Sequence, residues 1–206
     1  MTDPFVLLDE PRRPWLDPEV LKTKFLARSA EVHPDRVHGE SDARKQLAQQ
    51  RFAELNAAYN RLREPKDRLR VLIELETGSP PKDIQRLPSG TMDLFVEVGQ
   101  LCRDVDGFLV ERAKVTSPVL QVQLFERAQG WTERLTTLQR KTNATRDDLS
   151  AELQSLNARW DAAPAIGSAA RTGSLPLERL DQIYRVLSYV ARWSGQLQER
   201  LVQLSF

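Results

Sequence analysis

Hydrophobic residues recur every three or four positions along almost the whole chain, which is the period of amphipathic helices. The first long stripe begins after Asp17-Pro18, where an aspartate can cap a helix and a proline leaves no amide unpaired. A second, longer stripe follows a polar loop and consists of Leu47, Ala48, Phe52, Leu55, Tyr59 and Leu62. Two such helices joined by a short loop are expected to pack as an antiparallel hairpin.

Breaks in the pattern predict the domain organisation. Pro65 ends the second stripe and opens a short further helix, after which residues 77–90 are rich in glycine, proline and serine. We therefore predict an N-terminal domain at 1–76, with short helices flanking its hairpin. We place a linker at 77–90 and a C-terminal domain at 91–206.

The C-terminal part is also helical throughout, and its stripes predict an antiparallel helical bundle. The stripe of its first predicted helix, from Thr91 to about Ala113, is flanked by further apolar residues including Phe95 and Val96. An apolar band that wide is either buried by two neighbouring helices or left exposed as a patch for a partner protein. Residues 118–160 form either one long helix or two broken near Asn143. A loop is predicted from Ala163 to Pro176, and a last helix carries a regular leucine-rich seam to the C-terminus. The fold class is all-α.

Composition narrows the classes of function. The 206 residues are 40% hydrophobic and 29% charged, with a net charge of +1, so bulk charge favours neither nucleic acid nor a membrane. No apolar run approaches the ~18 residues of a membrane span, and the N-terminus does not resemble a signal peptide. The single cysteine, Cys102, suits a reducing cytoplasm.

Motifs for catalysis are missing from the sequence. It has no glycine-rich phosphate loop and no nucleophile motif, so we predict neither an enzyme nor a cofactor. His33, Asp35 and His38 share one loop without further histidine or cysteine ligands, and we predict no metal site there. The basic residues between Arg44 and Arg70 form, in the ordinary interpretation, a solvated face. They lack the interleaved aromatic side chains that nucleic-acid binding would favour.

The turn between the two hairpin helices carries the sequence His33-Pro34-Asp35. A first helix with basic residues off its apolar stripe, a His-Pro-Asp turn, an antiparallel second helix and a short further helix together resemble the J-domain. The resemblance implies that this turn engages a DnaK-type heat-shock ATPase and stimulates its hydrolysis. An aspartate in a proline turn can also offer a fixed acceptor to a partner arginine.

A closer resemblance is to the HscB family, the J-domain co-chaperones of iron–sulfur cluster assembly. It is carried by the opening segment Asp3 to Pro11, by Leu55-Asn56-Ala57-Ala58-Tyr59, by Leu62-Arg63-Glu64-Pro65 with Arg68, and by the leucine-rich last helix. It implies two partners: a DnaK- or HscA-type chaperone and an IscU-like scaffold. The alternative is a J-domain co-chaperone or adaptor for a different client, without a role in iron–sulfur assembly.

The resemblance also assigns two sets of contact residues. The expected chaperone-binding residues are His33, Pro34, Asp35, Lys22, Lys24, Arg28 and Arg36. The expected client-binding residues, on the exposed face of the first C-terminal helix, are Phe95, Val96, Gly99, Gln100 and Arg103. In the family this face combines hydrophobic and acidic residues, whereas here Gln100 and Arg103 stand at acidic positions and Gly99 replaces a larger apolar residue.

Overall fold

The computed structural model describes residues 2–33, 36, 39–82 and 90–205, and every regular element in these ranges is a helix. This agrees with the all-α fold class predicted from the sequence. The helices are α1 (Pro4–Leu7), α2 (Pro18–Glu31), α3 (Asp42–Arg63), α4 (Pro65–Thr77), α5 (Met92–Arg112), α6 (Pro118–Asp161), α7 (Ala169–Ser174) and α8 (Leu177–Ser205).

The helix ends follow from local chemistry. Asp17 caps α2 by accepting hydrogen bonds from the amides of Glu19 and Val20, with Pro18 as the first helical residue. Helix α1, before Pro11, is a single helical turn that Asp3 caps by accepting from the amide of Phe5. At the other end of this region, α4 stops at Gly78, whose φ of +77° suits glycine.

Contacts divide the chain into two compact units, each discontinuous in sequence. The first comprises residues 1–82 and 150–184, and the second comprises 83–149 and 185–206. The predicted linker at 77–90 includes residues 83–89, which lie outside the described ranges. The division into domains at 1–76, 77–90 and 91–206 stays a prediction.

The first unit contains the predicted hairpin of α2 and α3. Leu21 on α2, and Leu55 and Leu62 on α3, are buried. The rings of Phe25 and Tyr59 stack between the helices, with centroids 4.3 Å apart and planes 12° apart. These contacts hold the two helices together at successive turns.

Arg68 of α4 is a buried arginine that joins two chain segments. It donates to the carbonyl of Pro14 at 2.8 Å and to the carbonyl of Leu62 at 2.6 Å. Burial lowers the pKa of Arg68 to about 10, only partly opposed by the nearby Glu64 carboxylate. Arg68 therefore holds the segment before α2 and the end of α3 in place through hydrogen bonds.

Residues 150–184 complete the first unit. The side-chain amide of Asn157 accepts from the backbone N–H of Trp15 and donates to its carbonyl, both at 3.0 Å. Arg171 forms a bidentate ion pair with Glu76, at 2.7 and 2.8 Å. Arg171 belongs to α7, a short helix inside the segment predicted as a loop.

The second unit is a helical bundle built from α5, the first part of α6 and the last part of α8. Its core contains the α5 residues Val98, Leu101, Val105 and Phe108, with Leu135, Leu138, Val190, Trp193 and Leu197 from the other two helices. Of the two alternatives for residues 118–160, the structure has a single helix, α6, from Pro118 to Asp161. No helix in the described part of the chain is long and apolar enough to cross a membrane.

Candidate interaction surfaces

His33 lies at the C-terminal end of α2 and is half-buried against α3. Its ring meets the ring of Phe52 edge to face, with centroids 5.3 Å apart and planes at 81°. The backbone carbonyl of His33 accepts from the N–H of Arg36 at 3.0 Å. Pro34 and Asp35 lie outside the described residues. The geometry therefore shows one end of the predicted contact turn anchored on the partner helix of the hairpin.

The three basic residues predicted on α2 are not equivalent. Lys24 donates to the carbonyl of Asp9 at 2.6 Å and lies 3.0 Å from a carboxylate oxygen of Glu10, whose side chain is 3% exposed. Arg28 lies 3.9 Å from the Asp9 carboxylate. Lys22 is exposed and has no ion-pair partner among the described residues. Of these three cations, Lys22 is therefore the one whose charge no described acidic side chain pairs with.

The predicted client-binding face begins at the first turns of α5. The exposed fractions of Met92, Phe95 and Val96 are 58%, 47% and 55%, although all three are large apolar residues. The opposite side of α5 is buried through Val98, Leu101 and Val105. The wide apolar band is thus divided into a core face and an exposed face, so a second neighbour does not bury all of it.

Beside this patch, a groove of about 490 Å³ runs between α5 and α6. Val96, Gln100 and Leu101 line it from α5, and Glu133, Thr137 and Leu138 are among its residues on α6. Glu97 and Lys141 pair across the two helices at 2.6 Å. The groove combines apolar side chains at its base with polar side chains around them, which is the usual character of a protein-binding surface.

The other three residues predicted for the client face form a connected set. Gln100 donates to Asp104 at 2.7 Å and accepts from Arg103 at 2.8 Å. The guanidinium of Arg103 lies along Gly99, because its Nη1 is only 3.5 Å from where a Cβ of residue 99 would stand. The sequence named these residues, but not their hydrogen bonds, which depend on side-chain conformations.

Other candidate chemistry finds no support in the described part of the chain. Residues 2–33, 36, 39–82 and 90–205 contain no group of three or more histidine, cysteine or acidic side chains that could hold a metal. Cys102 is buried and unpaired, and burial raises the pKa of its thiol. A buried, protonated thiol is not a reactive nucleophile.

Comparison with known proteins identifies relatives that match more than half of the chain. No protein-family model matches the chain. A co-chaperone protein HscB homolog from Bordetella pertussis is 43% identical over 126 residues, covering 59% of this chain and 74% of the relative. The corresponding homolog from Mannheimia succiniciproducens is 29% identical over 126 residues, covering 56% of this chain and 71% of the relative.

Solved structures show the same fold over nearly the whole chain. The chaperone HscB from Vibrio cholerae has a TM-score of 0.57 at 22% identity and covers 98% of this chain and 99% of its own. The human co-chaperone protein HscB has a TM-score of 0.59 at 16% identity and covers 97% and 82%. These likenesses show an all-helical fold, and together with the named sequence relatives they define an all-helical co-chaperone. The identity to the Bordetella relative makes the family plain: this chain belongs to the HscB family of co-chaperones.

Proposed function

We propose that this co-chaperone stimulates ATP hydrolysis by a DnaK- or HscA-type chaperone through the turn at His33-Pro34-Asp35. We further propose that it delivers an IscU-like scaffold in cytoplasmic iron–sulfur cluster assembly. The observation that carries both is the 43% identity to an HscB homolog of which this chain covers 74%. The anchoring of His33 on Phe52 supports the first role, because a side chain that is already held in place loses little entropy when a partner binds.

The cations of α2 support an electrostatic contribution to chaperone binding. Exposed charges at an interface increase the rate at which two proteins meet and orient them as they do so, more than they increase the affinity. Because Lys24 and Arg28 lie near Asp9 and Glu10, we assign the steering role chiefly to Lys22. Its effect should weaken as added salt screens the charge.

The test of the first role is the steady-state ATPase rate of the purified chaperone with and without this protein. We expect Asp35→Asn and His33→Gln to remove most of the stimulation. The matched control is Asp42→Asn, which makes the same change at a side chain that is 96% exposed at the start of α3. Unchanged stimulation by both turn variants would refute the role of the turn.

The test of the second role is a calorimetric titration of the full chain with an IscU-like scaffold. We expect binding that Phe95→Ala and Val96→Ala weaken, because both side chains present exposed apolar surface on α5. Stimulation of the ATPase without scaffold binding would instead favour the alternative, a co-chaperone for a different client.

A further inference from the structure

One cation on the client face of α5 has no carboxylate partner among residues 90–205, and that cation is Arg103. The positions four residues before and after it, which share its side of the helix, are Gly99 and Gly107. Neither can supply an acidic side chain. Arg103 therefore presents a positive charge that its own helix does not neutralise.

The neighbouring acidic residues are already engaged elsewhere. Asp104 accepts from Gln100 at 2.7 Å and lies 3.9 Å from Arg134 of α6. Asp106 accepts from Arg200 of α8 at 2.7 Å. Both carboxylates form their ion pairs with arginines of other helices and not with Arg103. Its charge therefore remains available to a partner.

The guanidinium of Arg103 is nevertheless held in one orientation. Its Nη2 donates to Gln100, which is fixed in turn by Asp104, and its Nη1 lies along the bare backbone at Gly99. A guanidinium has five N–H donors in a planar fork, so one bond to Gln100 leaves donors for a carboxylate. Holding the side chain in place reduces the entropy lost when a partner binds.

This oriented cation lies next to the exposed apolar patch of Met92, Phe95 and Val96. Gly99 follows Val96 by three residues, which is about 4.5 Å along a helix axis. A bound segment thus meets apolar surface and a guanidinium roughly one helical turn apart. The charged residues that line the neighbouring groove are Glu97 on α5 and both Glu133 and Arg134 on α6.

We propose that this face binds a protein segment carrying an apolar side chain and, about one helical turn from it, a carboxylate that pairs with Arg103. The inference rests on the proposed client-binding function and names the chemistry of the client. The apolar side chain enters beside Val96, and the carboxylate forms a charge-assisted hydrogen bond with the free guanidinium edge.

The first experiment is a calorimetric titration of the full chain with an IscU-like scaffold at low and moderate salt. We expect Arg103→Glu to weaken binding about tenfold and to remove most of its salt dependence. The matched control is Arg159→Glu, the same change of charge at an exposed arginine of the first compact unit that has no ion pair in the described residues. It should alter binding by less than about twofold.

The second experiment does not depend on the identity of the client. Two synthetic helical peptides, one with leucine and glutamate spaced by four residues and one with glutamine in place of glutamate, are titrated into the isotope-labelled full chain. We expect the glutamate peptide to shift the side-chain NMR signals of Arg103 and Val96, and the glutamine peptide to shift them several-fold less. The Arg103→Gln chain should not distinguish the two peptides.

The outcomes separate the inference from the proposed function. Scaffold binding that Arg103→Glu leaves unchanged overturns the inference and leaves the proposed function standing. Absence of scaffold binding, together with a glutamate-specific peptide response, overturns the proposed client and supports the inference for a different one. Absence of both overturns both. Equal responses to the two peptides, or self-association of the chain through this face, also count against the inference.

Discussion

The ion pair between Glu76 and Arg171 offers a quantitative test of how the first compact unit is held together. Two parallel hydrogen bonds, at 2.7 and 2.8 Å, join side chains that are only 2% and 8% exposed. Arg171 also donates to the carbonyl of Pro164, and the neighbouring Thr172 donates to the backbone carbonyl of Glu76. The hydrogen bond from Arg171 to Glu76 raises the pKa of the guanidinium, so its charge persists throughout the accessible pH range.

Glu76→Gln should therefore leave a buried arginine without its counter-charge. Breaking one side of a buried ion pair costs about 3–5 kcal/mol, because the remaining charge has lost its compensation in a poorly solvated site. For a chain of this size, each kcal/mol corresponds to roughly 2–4 °C in Tm. We therefore expect Tm to fall by roughly 6 °C or more.

The assay is urea unfolding followed by circular dichroism for four proteins: the natural chain, Glu76→Gln, Arg171→Met and the double variant. Because the double variant buries no unpaired charge, we expect it to be less destabilised than the sum of the single variants. The difference should be about 2 kcal/mol, within the range of measured couplings between contacting residues. Additive losses, or a loss below about 1 kcal/mol for Glu76→Gln, would refute the reasoning.

Two further predictions concern single contacts. Arg68→Met should lower the free energy of unfolding, measured by urea denaturation, by about 2 kcal/mol or more, because the carbonyls of Pro14 and Leu62 lose a buried donor. An unchanged free energy of unfolding would show that water replaces the guanidinium. The hydrogen bond from Arg179 holds the pKa of Glu152 below its usual 4.5, so the pair stabilises the fold above pH 4.5 and loses this effect as the pH falls through the lowered pKa. The urea midpoints of Arg179→Gln and the natural chain should hence differ slightly at pH 7 and converge as the pH is lowered below 4.5, and a difference that does not shrink with falling pH would contradict this assignment.

Much of the helical architecture could be predicted from the sequence because it depends on local patterns. The hairpin, the cap at Asp17 and the seams of α5 and α8 all follow from residues close together in the chain. The helix α7 was missed because its segment is rich in glycine, alanine and serine. Arg171 in α7 pairs with Glu76, 95 positions earlier in the chain, and local pattern carries no information on such a partner.

For the candidate contact residues as well, the sequence could not predict which atoms each side chain contacts. The sequence grouped Lys22, Lys24 and Arg28 as equivalent cations, whereas Lys24 donates to the carbonyl of Asp9, a residue with a φ of +56°. That backbone conformation could not be foreseen from the residue types. Likewise, the sequence placed Arg103 on an exposed face, but only the structure shows it lying along Gly99 and bonded to Gln100.

The contribution of residues 150–184 to the first unit leads to a last prediction. Small helical domains bury too little apolar surface to be strongly stable by themselves. A fragment ending at residue 82 would lose the two hydrogen bonds between Asn157 and Trp15 and the ion pair at Glu76. We therefore expect hydrogen exchange to show the α3 amides of this fragment at least tenfold less protected than those of the full chain. Each of the two lost contacts contributes about 1 kcal/mol, and their sum exceeds the 1.4 kcal/mol that corresponds to a factor of ten. Equal protection would mean that the hairpin is stable by itself and that residues 150–184 only pack against it.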